Sequence, residues 1–160
     1  MDSKHHNGNH QNNNHYLRLL LMAVMSFISM FVLMYAMVDT PANILLSLNQ
    51  FYMAGLMTAP MVVIELALMG AMYDNKRWNA LIIAASAIAL VVFWVLIRQQ
   101  TGISDKQFLR SMIPHHASAI LMCEQAPITD PEIQDLCSGI ISGQQAEIDQ
   151  MRARLVELER

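Results

Sequence analysis

Three long apolar runs, separated by short polar breaks, dominate the first hundred residues, and a helical period governs the last sixty. The runs are LLLMAVMSFISMFVLMYAMV (Leu19 to Val38), a longer one from Leu45 to Tyr73, and WNALIIAASAIALVVFWVLI (Trp78 to Ile97). Each reaches the ~20 residues that a helix needs to cross a hydrocarbon core. The first is longer than the core of a signal peptide and is followed by DTPAN rather than a small-residue cleavage pattern, so it reads as a retained span. Ahead of it, MDSKHHNGNHQNNNHY offers nothing apolar to bury and is expected to be disordered.

After the third run, RQQTG ends a helix with Gly102 in the position a glycine takes just past a C-terminus. SDKQ then has the form of a capping box, with Ser104 as N-cap and Gln107 three residues on. The helix it opens continues to about Gln125, where APITDP breaks it, and Asp130 with Pro131 at the first helical position starts the last helix. Apolar residues at Ile133, Leu136, Ile140, Ile141, Ile148, Met151, Leu155 and Leu158 give that helix a stripe with helical spacing. The expected fold is all-α: a tail over 1–16, a three-span membrane domain over 17–98 and an extracytoplasmic helical hairpin over 103–160. Two helices alone bury too little apolar surface to be stable, so the hairpin requires a partner. A second copy completing a four-helix bundle, or the membrane spans, would serve.

Composition agrees with a membrane chain, 54% of residues being hydrophobic and 14% charged. A formal net charge of -3 leaves no clustered basic footprint, which excludes nucleic acid as a partner and leaves the lipid bilayer. DTPAN between the first two spans lacks Lys and Arg, whereas the N-terminal segment has Lys4 and Arg18 and the second loop has Lys76 and Arg77. By the positive-inside rule the N-terminus and second loop face the cytoplasm and the hairpin lies outside. The expected setting is a bacterial inner membrane with a periplasmic hairpin.

The candidate chemistry lies in SMIPHHASAILMC, Ser111 to Cys123. On a helix Met112, His115, Ala119 and Met122 share one face, and Met112, His116 and Cys123 form an overlapping row turned by about 100°. Imidazole, thioether and thiolate suit soft or borderline metals, Met and Cys favouring Cu(I). Pro114 removes a helical amide one turn before the histidines and is expected to kink the helix and widen the groove there. On the last helix Cys137, Gln144 and Met151 lie seven apart with Glu147 nearby, and an antiparallel hairpin brings them toward the first row. The histidines of the tail, His5, His6, His10 and His15, are expected to do nothing specific. In the second span Met61, Glu65 and Met69 recur every four residues. That is a candidate membrane site by the rule that an ionisable residue in a span is functional, and its structural alternative is a carboxylate within reach of the interface.

The segments FLRSMIPHHASAILMCEQA and DPEIQDLCSGIISGQQAEIDQM resemble DUF305, a ferritin-like family of unknown function with the signature M-I-P-H-H-x-x-A-I-x-M followed by D-P-E and then I-I-x-x-Q-x-x-E-I-x-x-M. The matching positions run from Met112 to Met122 and from Asp130 to Met151, about 45 residues, and leave the spans uncovered. The resemblance implies a helical bundle outside the cytoplasmic membrane that binds copper through Met and His and is linked to copper resistance. Cys123 and Cys137 stand where many relatives have alanine. They are open to roles as soft ligands or as a disulfide, with free thiols favoured because the inferred register sets them about a turn apart. A di-iron centre is excluded, since neither His115 nor His116 has a glutamate three residues before it. No nucleophile stands beside a base, so no enzyme is expected. Together these observations give a membrane-anchored Cu(I)-binding protein for sequestration or handover to a metal-handling partner. Its ligands would be Met112, His115, His116, Met122, Cys123, Cys137 and Met151. The rival is a helical oligomerisation module without a metal role.

Overall fold

A computed structural model describes the backbone of residues 5–160 and the side chains from Asn14 onward. The chain is α1 (His5–Leu33), a 3-10 turn (Met34–Met37), a second (Pro41–Asn43), α2 (Leu48–Leu68), a third 3-10 turn (Gly70–Met72), α3 (Lys76–Gln99), α4 (Asp105–Gln125) and α5 (Pro131–Glu159). Among the described residues there is no strand. Helix α1 begins at His5, inside the segment expected to be a disordered tail. A helix already nucleated by an apolar span propagates into adjoining residues at little cost. Residues 1–4 of that tail lie outside the described residues.

Helices α1, α2 and α3 are each long and apolar enough to cross a membrane. The chain divides into two compact units, the first holding the residues up to Phe31 together with Tyr52–Gln99. One buried cluster in it is formed by Leu19, Val62, Leu66 and Tyr73, joined by Tyr16, Met22, Ala23 and Ile82. No residue of α3 is fully buried, although Ile82 and Phe93 pack inward and are half-buried. Close approach of α2 and α3 is set by Gly55, where a Cβ would meet the Phe93 ring at 2.5 Å. At one end of this unit the Tyr16 hydroxyl lies 2.7 Å from Asn79 Oδ1 and 3.2 Å from the Asn75 carbonyl. Asn75 Oδ1 in turn accepts from the amides of Arg77 and Trp78, capping α3.

The second unit holds Val32–Phe51 and Gln100–Arg160. The expected hairpin domain is therefore corrected: the segment between the first two spans belongs with it. Ile113, Ala117 and Ile120 of α4 close on Ile148 and Leu155 of α5, with Val38 and Leu45 of that segment packed on the same core. Arg152 Nη2 donates to the Ala42 carbonyl and to Asn43 Oδ1, both at 2.6 Å. The Leu48 amide donates to Gln107 Oε1 at 2.9 Å, and Asn49 donates to Ser111 Oγ at 3.2 Å. Ser104 occupies the N-cap of α4, but its side chain makes no capping bond there. Gln107 has been drawn to Leu48, an orphan amide at the start of α2, and the expected capping box does not form. α3 ends at Gln99, and the left-handed position just past it is taken by Gln100 at φ 50° and not by the expected Gly102, which follows two residues later at φ 75°. Asp130 caps α5 by accepting from the amides of Glu132 and Ile133 at 2.9 and 3.2 Å.

Candidate functional site

Helices α4 and α5 run antiparallel, as three cross-links along them show. Cys123 is bonded to Cys137, His116 meets Glu147, and Arg110 meets Glu159. The core positions Ile113, Ala117 and Ile120 fix which way α4 is turned. One step of 100° separates the two histidines, so His116 is carried into the hairpin and His115 out to solvent. Pro114 is buried inside a helix that continues uninterrupted to Gln125, and the Ser118 hydroxyl donates to its carbonyl at 2.9 Å.

The His116 ring is held from both sides. Its Nδ1 lies 3.0 Å from the Met112 carbonyl oxygen, which can only accept, so Nδ1 carries a proton and donates. Its Nε2 lies 2.6 Å from Glu147 Oε2. The imidazole side chain is 10% exposed and the Glu147 side chain 58% exposed, so a fixed ring faces a carboxylate that water reaches. Both nitrogens of His116 are thus engaged, and in this arrangement it offers no lone pair to the expected ligand set. His115 stands at its shoulder, with the ring centroids 5.9 Å apart and the planes edge to face.

The cysteines depart furthest from expectation. Cys123 and Cys137 form a disulfide, their Cα atoms 5.3 Å apart, which corrects both the inferred misalignment and the preference for free thiols. Disulfide sulfurs are not thiolates and supply no soft anionic ligand. Met151 packs on the hairpin core, while Met112 is half-buried and Met122 exposed on the outer row with His115. Successive residues on two antiparallel helices turn in opposite senses about a common axis. With the disulfide and the His116–Glu147 pair marking where the helices face each other, Phe108, His115 and Met122 come out on the same side as Ile133 and Leu136. All five are exposed. Among the described residues no three His, Cys, Asp or Glu side chains are grouped as the shell of an ion.

Glu65 lies one turn before the end of α2, and Met69 falls just beyond the helix. Glu65 acts on Tyr73, whose phenol is raised above its usual range by burial first, then by the Glu65 carboxylate and by Tyr16.

A family described as "Domain of unknown function (DUF305)" matches residues 65–155. The chain belongs to the DUF305 family. The match reaches back to Glu65, so the family's region takes in α3 as well as the hairpin, beyond the stretch the signature covers. An uncharacterized protein of Acanthamoeba polyphaga mimivirus is 37% identical over 142 residues, covering 87% of this chain and 91% of the relative. No solved structure matches. Glu147, the partner of His116, was legible in the sequence as a glutamate beside the Cys137, Gln144 and Met151 stripe and in the DUF305 signature, but not as the partner of His116. The pairing depends on the vertical register of the hairpin, which helical periodicity alone does not fix.

Proposed function

We propose that this DUF305 protein is a membrane-anchored copper-binding protein whose hairpin faces an oxidising compartment. There it takes up Cu(I) for sequestration or handover without catalytic chemistry. The observation that carries this is the exposed row on α4, where an imidazole (His115) and a thioether (Met122) stand in water beside the half-buried Met112. Those donors suit Cu(I). The disulfide supports an oxidising side for the hairpin. It also takes Cys123 and Cys137 out of the ligand set, and core packing takes out Met151. The set contracts to Met112, His115 and Met122.

The test is an anaerobic Cu(I) titration of the full, oxidised chain in detergent against a chromophoric chelator. The common background replaces His5, His6, His10 and His15 by Asn. His115→Ala and Met122→Ala are each expected to weaken Cu(I) at least ~10-fold, the loss of one ligand from a small site, with Zn(II) bound less tightly than Cu(I) at this row. Unchanged affinity in both variants sinks the assignment.

The apolar residues beside that row favour a second reading, in which a second copy covers Phe108, Met122, Ile133 and Leu136 to complete a four-helix bundle. Native mass spectrometry separates the two: a dimer indifferent to copper and chelator, on a chain whose row binds no Cu(I), would leave only this interaction role.

A further inference from the structure

We propose that the first unit carries a seat for one anionic phospholipid: Lys76 and Arg77 hold its phosphate, and one acyl chain lies in the apolar cleft between α2 and α3. The inference rests on the spans crossing a bilayer and is independent of the Cu(I) row. The cleft has a volume of about 350 Å³ and is walled by small residues, Gly55 and Ala59 on α2 and Ala85 and Ala89 on α3. Thr58 also lines it, but its hydroxyl is spent on the Ala54 carbonyl at 2.8 Å, which leaves Ser86 as the other hydroxyl in a wall of apolar side chains. At one end the Phe93 ring lies on Gly55 and closes the cleft. Ala85 is exposed at the rim, so the cleft opens sideways, toward lipid. A water molecule needs two to four polar partners, which these walls do not give, so in a bilayer the space takes a hydrocarbon chain.

The other end of the cleft makes the seat selective. On α3 the lining begins at Ile82, one turn from Trp78 and two turns from Asn75, on the same helix face. There Lys76 and Arg77 line a second hollow with Asp74 and Asn75. Two cations thus open α3 at the positive end of its dipole, with no acidic residue in its first turn, a placement that is unfavourable until an anion joins it. Asp74 offsets one of them, and the hollow keeps a net positive charge. Tyr16, bonded to the Asn75 carbonyl, brings α1 to the same level, and Arg18 follows about 3 Å further along that helix. Among the described residues none of Arg18, Lys76 and Arg77 forms an ion pair. Trp78, exposed beside them, marks the depth at which tryptophans anchor in the headgroup layer. A basic hollow one turn from an apolar cleft matches both the charge and the chain of an anionic phospholipid, whereas a free phosphate or a neutral lipid engages only half of it.

The test is native mass spectrometry of the full chain, released from detergent in the presence of phosphatidylglycerol or of phosphatidylcholine with identical acyl chains. The parent is expected to retain one phosphatidylglycerol per chain at least ~10-fold more tightly than phosphatidylcholine. Replacing both Lys76 and Arg77 by Gln should erase that preference and leave phosphatidylcholine unchanged. Ala85→Phe fills the cleft from its open rim and should abolish retention of both lipids. Ala87→Phe, equally exposed on α3 but outside the cleft, should abolish neither, and circular dichroism checks that each variant keeps its helices. Equal retention of the two lipids by the parent overturns the seat. So does phosphatidylglycerol bound by Ala85→Phe as by its parent: the hollow then collects phosphate from any source, and millimolar inorganic phosphate would displace the lipid. None of these variants touches α4 or α5, so the Cu(I) row stands or falls separately on His115→Ala and Met122→Ala.

Discussion

Tyr73 shows how one side chain can report on a whole helix junction. It is buried at the foot of α2, in edge contact with the rings of His15 and Tyr16, and its phenol is held above the ordinary range by burial, by the Glu65 carboxylate and by Tyr16. The neutral phenol is therefore the form the fold favours. Because the folded value lies above the unfolded one, near 10, Tyr73 contributes its stability fully below that value. The contribution is lost as pH rises through the raised folded value. We expect thermal stability of the detergent-solubilised chain to fall above about pH 10, and Tyr73→Phe to flatten that fall while removing one late-titrating phenolate from the ultraviolet band. An alkaline limb unchanged by Tyr73→Phe would show that the junction is not what opens. At the same scale the sequence was legible where a residue has one local task. Asp130 with Pro131 starts a helix, from backbone chemistry contained within a few neighbours. Gln107 was not, because its alternative partner, the Leu48 amide, lies 59 residues away.

Between elements the same contrast decides what the α4–α5 hairpin could reveal. Helical spacing groups residues by face without saying which face packs: the structure makes Ile113, Ala117 and Ile120 core and leaves His115, read from the sequence as part of the ligand row, outside. Spacing did not give the register, which the five residues between the helices, Ala126 to Asp130, set by their own conformation. A shift of about one turn separates two thiols from a disulfide and leaves Glu147 beside His116. The bond closes a span of 14 residues between the end of α4 and the second turn of α5. In the chain-entropy picture such a loop is worth about 3 kcal/mol. Replacing both Cys123 and Cys137 by Ala should lower the unfolding free energy by roughly that amount. It should also speed amide exchange over residues 124–136 well before it reaches the turn around Ile113. Even loosening of the whole hairpin would mean that the disulfide, rather than the Ile113–Ile148 core, nucleates it.

The whole molecule turns on a segment that the sequence assigned to the membrane domain. Val38 to Ser47 lies between two spans, and its apolar residues read as fringes of those spans. In the structure Val38 and Leu45 complete the hairpin core, and Arg152 ties Ala42 and Asn43 to α5. The partner that two helices need is thus supplied in part by the same chain, which no periodicity along either helix could disclose. This joins Thr40 and the hairpin on one side of any membrane the spans cross. Helix α2, with 21 residues, is about 31 Å long, enough to carry the chain to the other side before Asp74. The native cysteines are bonded to each other and silent, so single reporters can be introduced in the intact chain. A membrane-impermeant maleimide applied to sealed cells should label Thr40→Cys and Ser142→Cys alike, and Asp74→Cys only after permeabilisation. Equal labelling of Thr40→Cys and Asp74→Cys from outside would mean that α2 does not cross. Thr40→Cys and Ser142→Cys labelled only after permeabilisation would instead overturn the oxidising side inferred for the hairpin, and with it a Cu(I) row open to that compartment.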